Sequence, residues 1–207
     1  MLLAKSCHDL DWITYLMDSK CLAVSSFGSL AHFTPQNRPA GAAERCLDCA
    51  VEASCPYSAV RIYLGRVQQG MLGHPVSVVA AAPTPESVTR ALREGPYGRC
   101  VYACDNDVVD HQVVNLLFDG GRTADFTMTG FTRYADRQTR LFGTRGEISG
   151  DGREIRIFDF LTERTTLIDA APVPGPLSAH GGGDLGLMQN FVAAVAQNNP
   201  RLISSTP

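Results

Sequence analysis

Residues 111–131 read HQVVNLLFDGGRTADFTMTGF. His111 to Phe118 is a strand-length run rich in valine, leucine and phenylalanine. Asp119-Gly120-Gly121 then gives a hairpin signal, because glycine reaches the positive-φ backbone that tight turns require. Thr123 to Phe131 follows at once as the returning strand. The same pattern continues downstream. Gln138 to Gly143 and Glu147 to Ser149 flank Thr144-Arg145-Gly146, Glu154 to Leu161 alternates, and Thr165 to Ile168 closes the series. Successive strands joined by short turns pair antiparallel. Upstream, Cys21 to Phe33 also alternates and reads as a strand, bulged at Gly28.

Helices flank this meander. Residues 4–17 carry Leu10, Ile13 and Leu16 at helical spacing. SAVRIYLG, residues 58–65, reads as a short helix. Thr84-Pro85-Glu86 is a helix start, with Thr84 as cap and Pro85 in the first turn; residues 86–94 form the helix, stopped by Gly95-Pro96. Asp184 caps a closing helix over about 185–197, with Leu187, Phe191, Val192 and Val195 on one face. Residues 34–41 and 172–183 are Pro/Gly loops, and 71–85 shows no clear period. The expected class is α+β: one domain over residues 1–207, an open, mostly antiparallel sheet with helices packed on one face.

Composition bounds the partners. The chain has 207 residues with 18 Lys+Arg against 21 Asp+Glu, a net charge of -3. Its only lysines are Lys5 and Lys20, so no basic run exists to neutralise phosphates, which excludes nucleic acid as the main partner. An apolar share of 44% is that of a globular protein and excludes a disordered one. No apolar run is long enough to span a membrane or to act as a signal peptide, which places the protein in the cytoplasm. Seven cysteines at uneven spacing make a poor disulfide framework and suit a reducing compartment.

Four constellations carry chemistry. In the first helix, Lys5 and His8 share a face, with Asp9 and Asp11 beside them; a histidine among charged neighbours is a proton-transfer set, although a polar first turn explains the same residues. Cys46-x2-Cys49-x5-Cys55 offers three thiolates from one loop to a Zn²⁺ ion, a fourth ligand coming from Cys100, Cys104 or a histidine; thiols packed as small hydrophobes, or a redox pair, are the alternatives. Arg99, in PYGRCVY, is able to clamp a carboxylate or sugar hydroxyls, and Asp105, Asp107, Asp110 and His111 follow at a spacing that matches no EF-hand. Finally, His180-Gly181-Gly182-Gly183-Asp184 is a flexible lead into the last helix from which His180 projects. No G-x-G-x-x-G opens a βαβ unit, and no Walker A, HExxH or G-x-S-x-G occurs.

Several segments taken together, LLAKSCHDLDWI (2–13), VSSFGSLAHF (24–33), RCLDCAVEASCPYSAVRIY (45–63), PYGRCVYACDNDVVDHQVVNLLF (96–118), TADFTMTGF (123–131), GTRGEISGD (143–151) and HGGGDLGLM (180–188), resemble the second domain of the glucose–fructose oxidoreductase / inositol dehydrogenase / rhizopine-catabolism (Gfo/Idh/MocA) oxidoreductases. The resemblance implies the substrate-binding and oligomerisation domain of an NAD(P)-dependent enzyme acting on a sugar or polyol hydroxyl, with the dinucleotide-binding domain outside this chain and the chain inactive by itself. His8 and Asp11 match the family's H-x-x-D pattern. An aspartate that many members carry four residues before the histidine is Ala4 here, leaving Lys5 to take part of its place. The resemblance implies His8, Lys5 and Asp11 as catalytic; Arg99 and His180 are substrate contacts on local polarity alone. A homo-oligomer through the sheet face is expected. The alternative is a non-catalytic binding and dimerisation domain with a structural thiolate–metal site.

Overall fold

In a computed structural model, residues 6–133, 137–170 and 183–203 are described. The chain is α+β, and its strands form two open antiparallel sheets rather than one continuous meander. Helix α1 (Cys7–Met17) leads into β1 (Cys21–Ser29); after short helices α2 (Gly65–Gln68), α3 (Val76–Val79) and α4 (Pro85–Glu94) come β2 (His111–Phe118) and β3 (Thr123–Thr129). These three strands pair in the order β1-β2-β3. A second sheet follows, β4 (Thr139–Phe142), β5 (Gly146–Gly150), β6 (Glu154–Asp159) and β7 (Arg164–Asp169), in simple sequence order. Helix α5 (Gly183–Ala196) is the last long element. Among the described residues, no helix is long and apolar enough to cross a membrane.

The contacts divide the chain into two units. The first holds Ser25–Asn115 and Asp125–Gly130; the second holds Cys7–Val24, Leu116–Ala124 and the described residues from Phe131 onward. Strands β1, β2 and β3 each pass from one unit into the other.

The core of the first unit is built from the short helices. Ala59, Val67, Val76, Val88 and Leu92 are buried together, with Cys46, Leu47 and Tyr63 packed around them. Helix α4 forms because Thr84 caps it: its hydroxyl accepts from the Ser87 N–H at 3.1 Å, and the Ser87 hydroxyl accepts from the Thr84 N–H at 2.9 Å. That reciprocal pair satisfies two amides that the first turn leaves unpaired. The helix then buries Val88 and Leu92 completely. At its other end Arg45 donates to the carbonyls of Leu92 and Gly95, both at 2.9 Å; a cation there also complements the helix dipole. Gly98 packs directly beneath this end, where a β-carbon would sit 1.7 Å from the Leu92 carbonyl oxygen.

Two expectations are revised. The alternation from Cys21 extends to Phe33, but β1 ends at Ser29; Gly28 marks a close approach, since a β-carbon there would lie 2.8 Å from the His111 carbonyl oxygen. The SAVRIYLG segment is helical as expected, a π-helix over Val60–Leu64 that runs into α2. Helix α5 begins at Gly183, so Asp184 lies inside its first turn instead of capping it, and Leu187, Phe191, Val192 and Val195 remain exposed. Its lead-in loop falls outside the described residues.

In the second unit the four-stranded sheet keeps strict register, with Ile148 opposite Ile157 and Ile155 opposite Ile168. The turn expected at Asp119-Gly120-Gly121 is present, with φ of 77° and 76° at the two glycines.

Gly98→Ala is expected to lower stability by about 3 kcal/mol, since the added methyl has no room and the helix carbonyl has no freedom to move. Gly73→Ala, with nothing within 4 Å of the new carbon, should stay within about 0.5 kcal/mol. Urea unfolding of the two variants checks this, and equal midpoints would refute it.

Candidate functional site

The residues expected to act are distributed over both units. His8 and Asp11 sit one turn apart on α1, in the second unit, and both are exposed. The His8 Nδ1 lies 3.5 Å from the Cys7 sulfur. Between them in sequence, Asp9 is engaged by Arg137, whose Nε donates to its carboxylate at 2.5 Å. Lys5 and His180 lie outside the described residues. Arg99 belongs to the first unit and pairs with Asp105 at 2.9 Å. The hydrogen bond from Arg99 holds the Asp105 carboxyl below its usual range.

Of the four acidic and histidine residues that follow Arg99, Asp105 is held by Arg99 while Asp110 and His111 pair with each other. Asp110 is the one buried polar residue of this group, and its role is mechanical. Its Oδ2 accepts the backbone N–H groups of Ala31 (3.0 Å), His32 (2.6 Å) and Phe33 (3.3 Å), while Oδ1 meets the His111 Nδ1 at 2.8 Å. Burial pushes this carboxyl pKa upward, but the hydrogen bonds from His111, His32, Ala31 and Phe33 overcome it and hold the group well below the usual carboxylate range. This bouquet of amides ends strand β1 and turns the chain.

The turn delivers His32 and Phe33 into an aromatic cluster. His32 Nε2 is 3.1 Å from the Tyr102 hydroxyl, and the rings of His32, Phe33, Tyr57 and Tyr102 meet edge to face or tilted at 4.9–6.2 Å between centroids. Tyr57 and Tyr102 also line a small cavity of about 20 Å³. Cys46, Cys49, Cys55 and Cys100 line the same cavity. Three of these come from the expected loop. The fourth, Cys100, arrives because Arg45 and Arg99 form a β-bridge and the Cys100 N–H donates to the Glu44 carbonyl at 2.8 Å.

Burial pushes the Cys46 thiol up; a hydrogen bond from the Ala59 backbone opposes this, and the neighbouring sulfurs of Cys100, Cys55 and Cys49 add to the rise. All seven cysteines are free thiols. Among the described residues, no three His, Cys, Asp or Glu side chains are already gathered as a group able to hold a metal ion.

Sequence spacing finds the Cys46–Cys55 loop. It does not choose among the candidates for a fourth neighbour, and it does not find Asp110 as the clamp, because both depend on contacts between distant residues. No family model matches the chain, and neither the curated proteins nor the solved structures contain a match.

Asp110→Asn should cost about 2–3 kcal/mol at neutral pH, the worth of charge-assisted hydrogen bonds to a buried acceptor. The sign of the pH dependence follows from the lowered pKa. Between the folded value and the ordinary one near 3.9, only the unfolded chain binds the proton, so the stabilisation is complete above about pH 5, fades as acid protonates the unfolded chain, and is gone once the folded carboxyl titrates as well. The stability gap between native and variant chains, measured by denaturant unfolding from pH 7 down to pH 3, is expected to narrow with acid. A gap that widens would show that the carboxylate charge is not what holds the turn.

Proposed function

We propose that this chain is the substrate-binding and assembly part of an NAD(P)-dependent oxidoreductase acting on a hydroxyl of a sugar or polyol, working in the cytoplasm as a homo-oligomer. The observation that carries this reading is the exposed side of α1, where His8 and Asp11 stand one turn apart. A histidine so placed accepts the proton of a substrate hydroxyl as the alcohol is oxidised, and a carboxylate one turn away stabilises the imidazolium that results.

Assembly is supported by apolar surface. In the second unit, α5 exposes Leu187, Met188, Val192 and Val195, and β1 exposes Leu22 and Val24 there, with Phe27 on its portion in the first. A helix that is apolar around most of its circumference is a helix that is covered in its working state.

A dinucleotide cradle needs parallel strands joined through a helix with a glycine-rich first turn. The described residues do not fit that cofactor, since their strands pair antiparallel. In this reading NAD or NADP is held by a unit outside this chain, and the nicotinamide supplies the hydride chemistry when bound. The chain's own residues bind and orient the substrate and move its proton.

The test is the native polypeptide isolated from its source cells, its intact mass measured and its NAD(P) reduction followed with a panel of sugars and polyols. The expected result is a mass above 22.3 kDa and turnover that His8→Ala lowers by roughly 10²–10⁴-fold, the usual worth of a proton-transfer group. The 207-residue chain alone should give no turnover. A native polypeptide of 22.3 kDa without NAD(P)-dependent activity would overturn the reading.

A further inference from the structure

The cavity beneath the aromatic cluster has the composition of a metal centre. We infer that Cys46, Cys49, Cys55 and Cys100 bind a single Zn²⁺ ion as a four-thiolate structural site in the first unit. The site stands apart from the oxidoreductase reading, because its residues, its chemistry and its test do not involve α1.

Four observations carry it. The first is selection: four of the seven cysteines converge on one cavity lining, although Cys100 is separated from Cys46 by more than fifty residues. The other three are accounted for elsewhere. Cys104 donates its thiol to the Cys100 carbonyl at 3.3 Å, and Cys7 and Cys21 belong to the second unit.

The second is backbone preparation. Two successive 3-10 turns, Cys46–Asp48 and Glu52–Ser54, are each closed by a cysteine amide: Cys49 N–H donates to the Cys46 carbonyl and Cys55 N–H to that of Glu52. Tight turns of this kind bring a C-x2-C pair to one ion. The antiparallel β-bridge at Arg45 and Arg99 sets Cys100 opposite Glu44, two residues before Cys46 along the same stretch.

Size and charge give the third and fourth. A cavity of about 20 Å³ admits one water-sized body, for which about 10–15 Å³ suffices; a multi-iron cluster with its sulfides is far larger. The one carboxylate on the lining, Glu52, is occupied by the Ser58 hydroxyl. That leaves sulfur as the donor type, which selects zinc over calcium or magnesium. A zinc ion with four thiolates carries two negative charges, and Arg45, whose guanidinium donates to the neutral carbonyls of Leu92 and Gly95, directly precedes Cys46.

The thiols line the cavity without closing on a common point, which is how neutral S–H groups pack. Binding exchanges four S–H protons for one ion, four Cys–SH and Zn²⁺ giving the tetrathiolate and four H⁺, with no change of oxidation state. A tetrahedral ion with bonds of about 2.3 Å would require the four sulfurs to stand roughly 3.8 Å apart.

The 207-residue chain, purified under reducing conditions with zinc present and then desalted, is assayed for metal by mass spectrometry. About one zinc per chain is expected. Cobalt titrated into the metal-free chain should give the strong visible bands of a tetrahedral site with a thiolate charge-transfer band, and zinc should bleach them. Cys100→Ser should weaken binding at least tenfold, and Cys104→Ser should leave it unchanged. If Cys100→Ser does not fold, the cobalt spectrum of the native chain still decides, since four-sulfur and three-sulfur sites differ in charge-transfer intensity. Less than a tenth of an equivalent of zinc, iron with inorganic sulfide in its place, or a Cys46–Cys49 disulfide in the chain alkylated without reduction would each overturn the inference.

Discussion

One buried carboxylate sets the geometry of the first unit. Asp110 sits at the entry to β2 and gathers three consecutive amides from the residues just past β1. Without that acceptor, the N–H groups of Ala31, His32 and Phe33 would continue an edge strand toward solvent. With it, the chain turns after Ser29 and places two aromatic side chains over Tyr57 and Tyr102. Those tyrosines in turn form part of the wall around the four thiols. The constraint therefore runs from a charge, through a backbone turn and an aromatic cluster, to the cavity.

What was legible in the sequence was local. The Thr84 cap, the Asp119-Gly120-Gly121 turn and the strand at β6 each depend on neighbours within a few residues, and each is found where expected, although the burial along β6 does not alternate. The α+β class followed from them. The alternation beyond Ser29 misled because its backbone partner lies about eighty residues away: periodicity carries no information about a carboxylate that takes the amides first. The candidate site divides along the same line. Cys46, Cys49 and Cys55 are marked by spacing, whereas Cys100 joins them through one β-bridge that no local pattern announces. Arg99 was legible as a clamp for an anion, and the anion it holds is Asp105, six residues on.

Residues 30 to 59 pose a stability problem that explains where the chemistry collects. This stretch contains only single turns, and irregular segments of such length are uncommon unless function or a staple holds them. Its apolar contribution to the core is Ala59, with Cys46 and Leu47 at the margin. The rest is held by point contacts: Asp110 at one end, Arg38 on Glu44, and Arg45 on the end of α4. Point contacts of this kind fix geometry more than they add free energy, because each replaces hydrogen bonds to water. Coordinate bonds are different in kind. In the proposed site, an ion shared by Cys46, Cys49 and Cys55 of this stretch and by Cys100 would couple the two turns to residue 100 at once, and its binding free energy would become folding free energy because the unfolded chain has no site to offer. A segment with little to bury is the segment in which four converging thiols have the most to contribute.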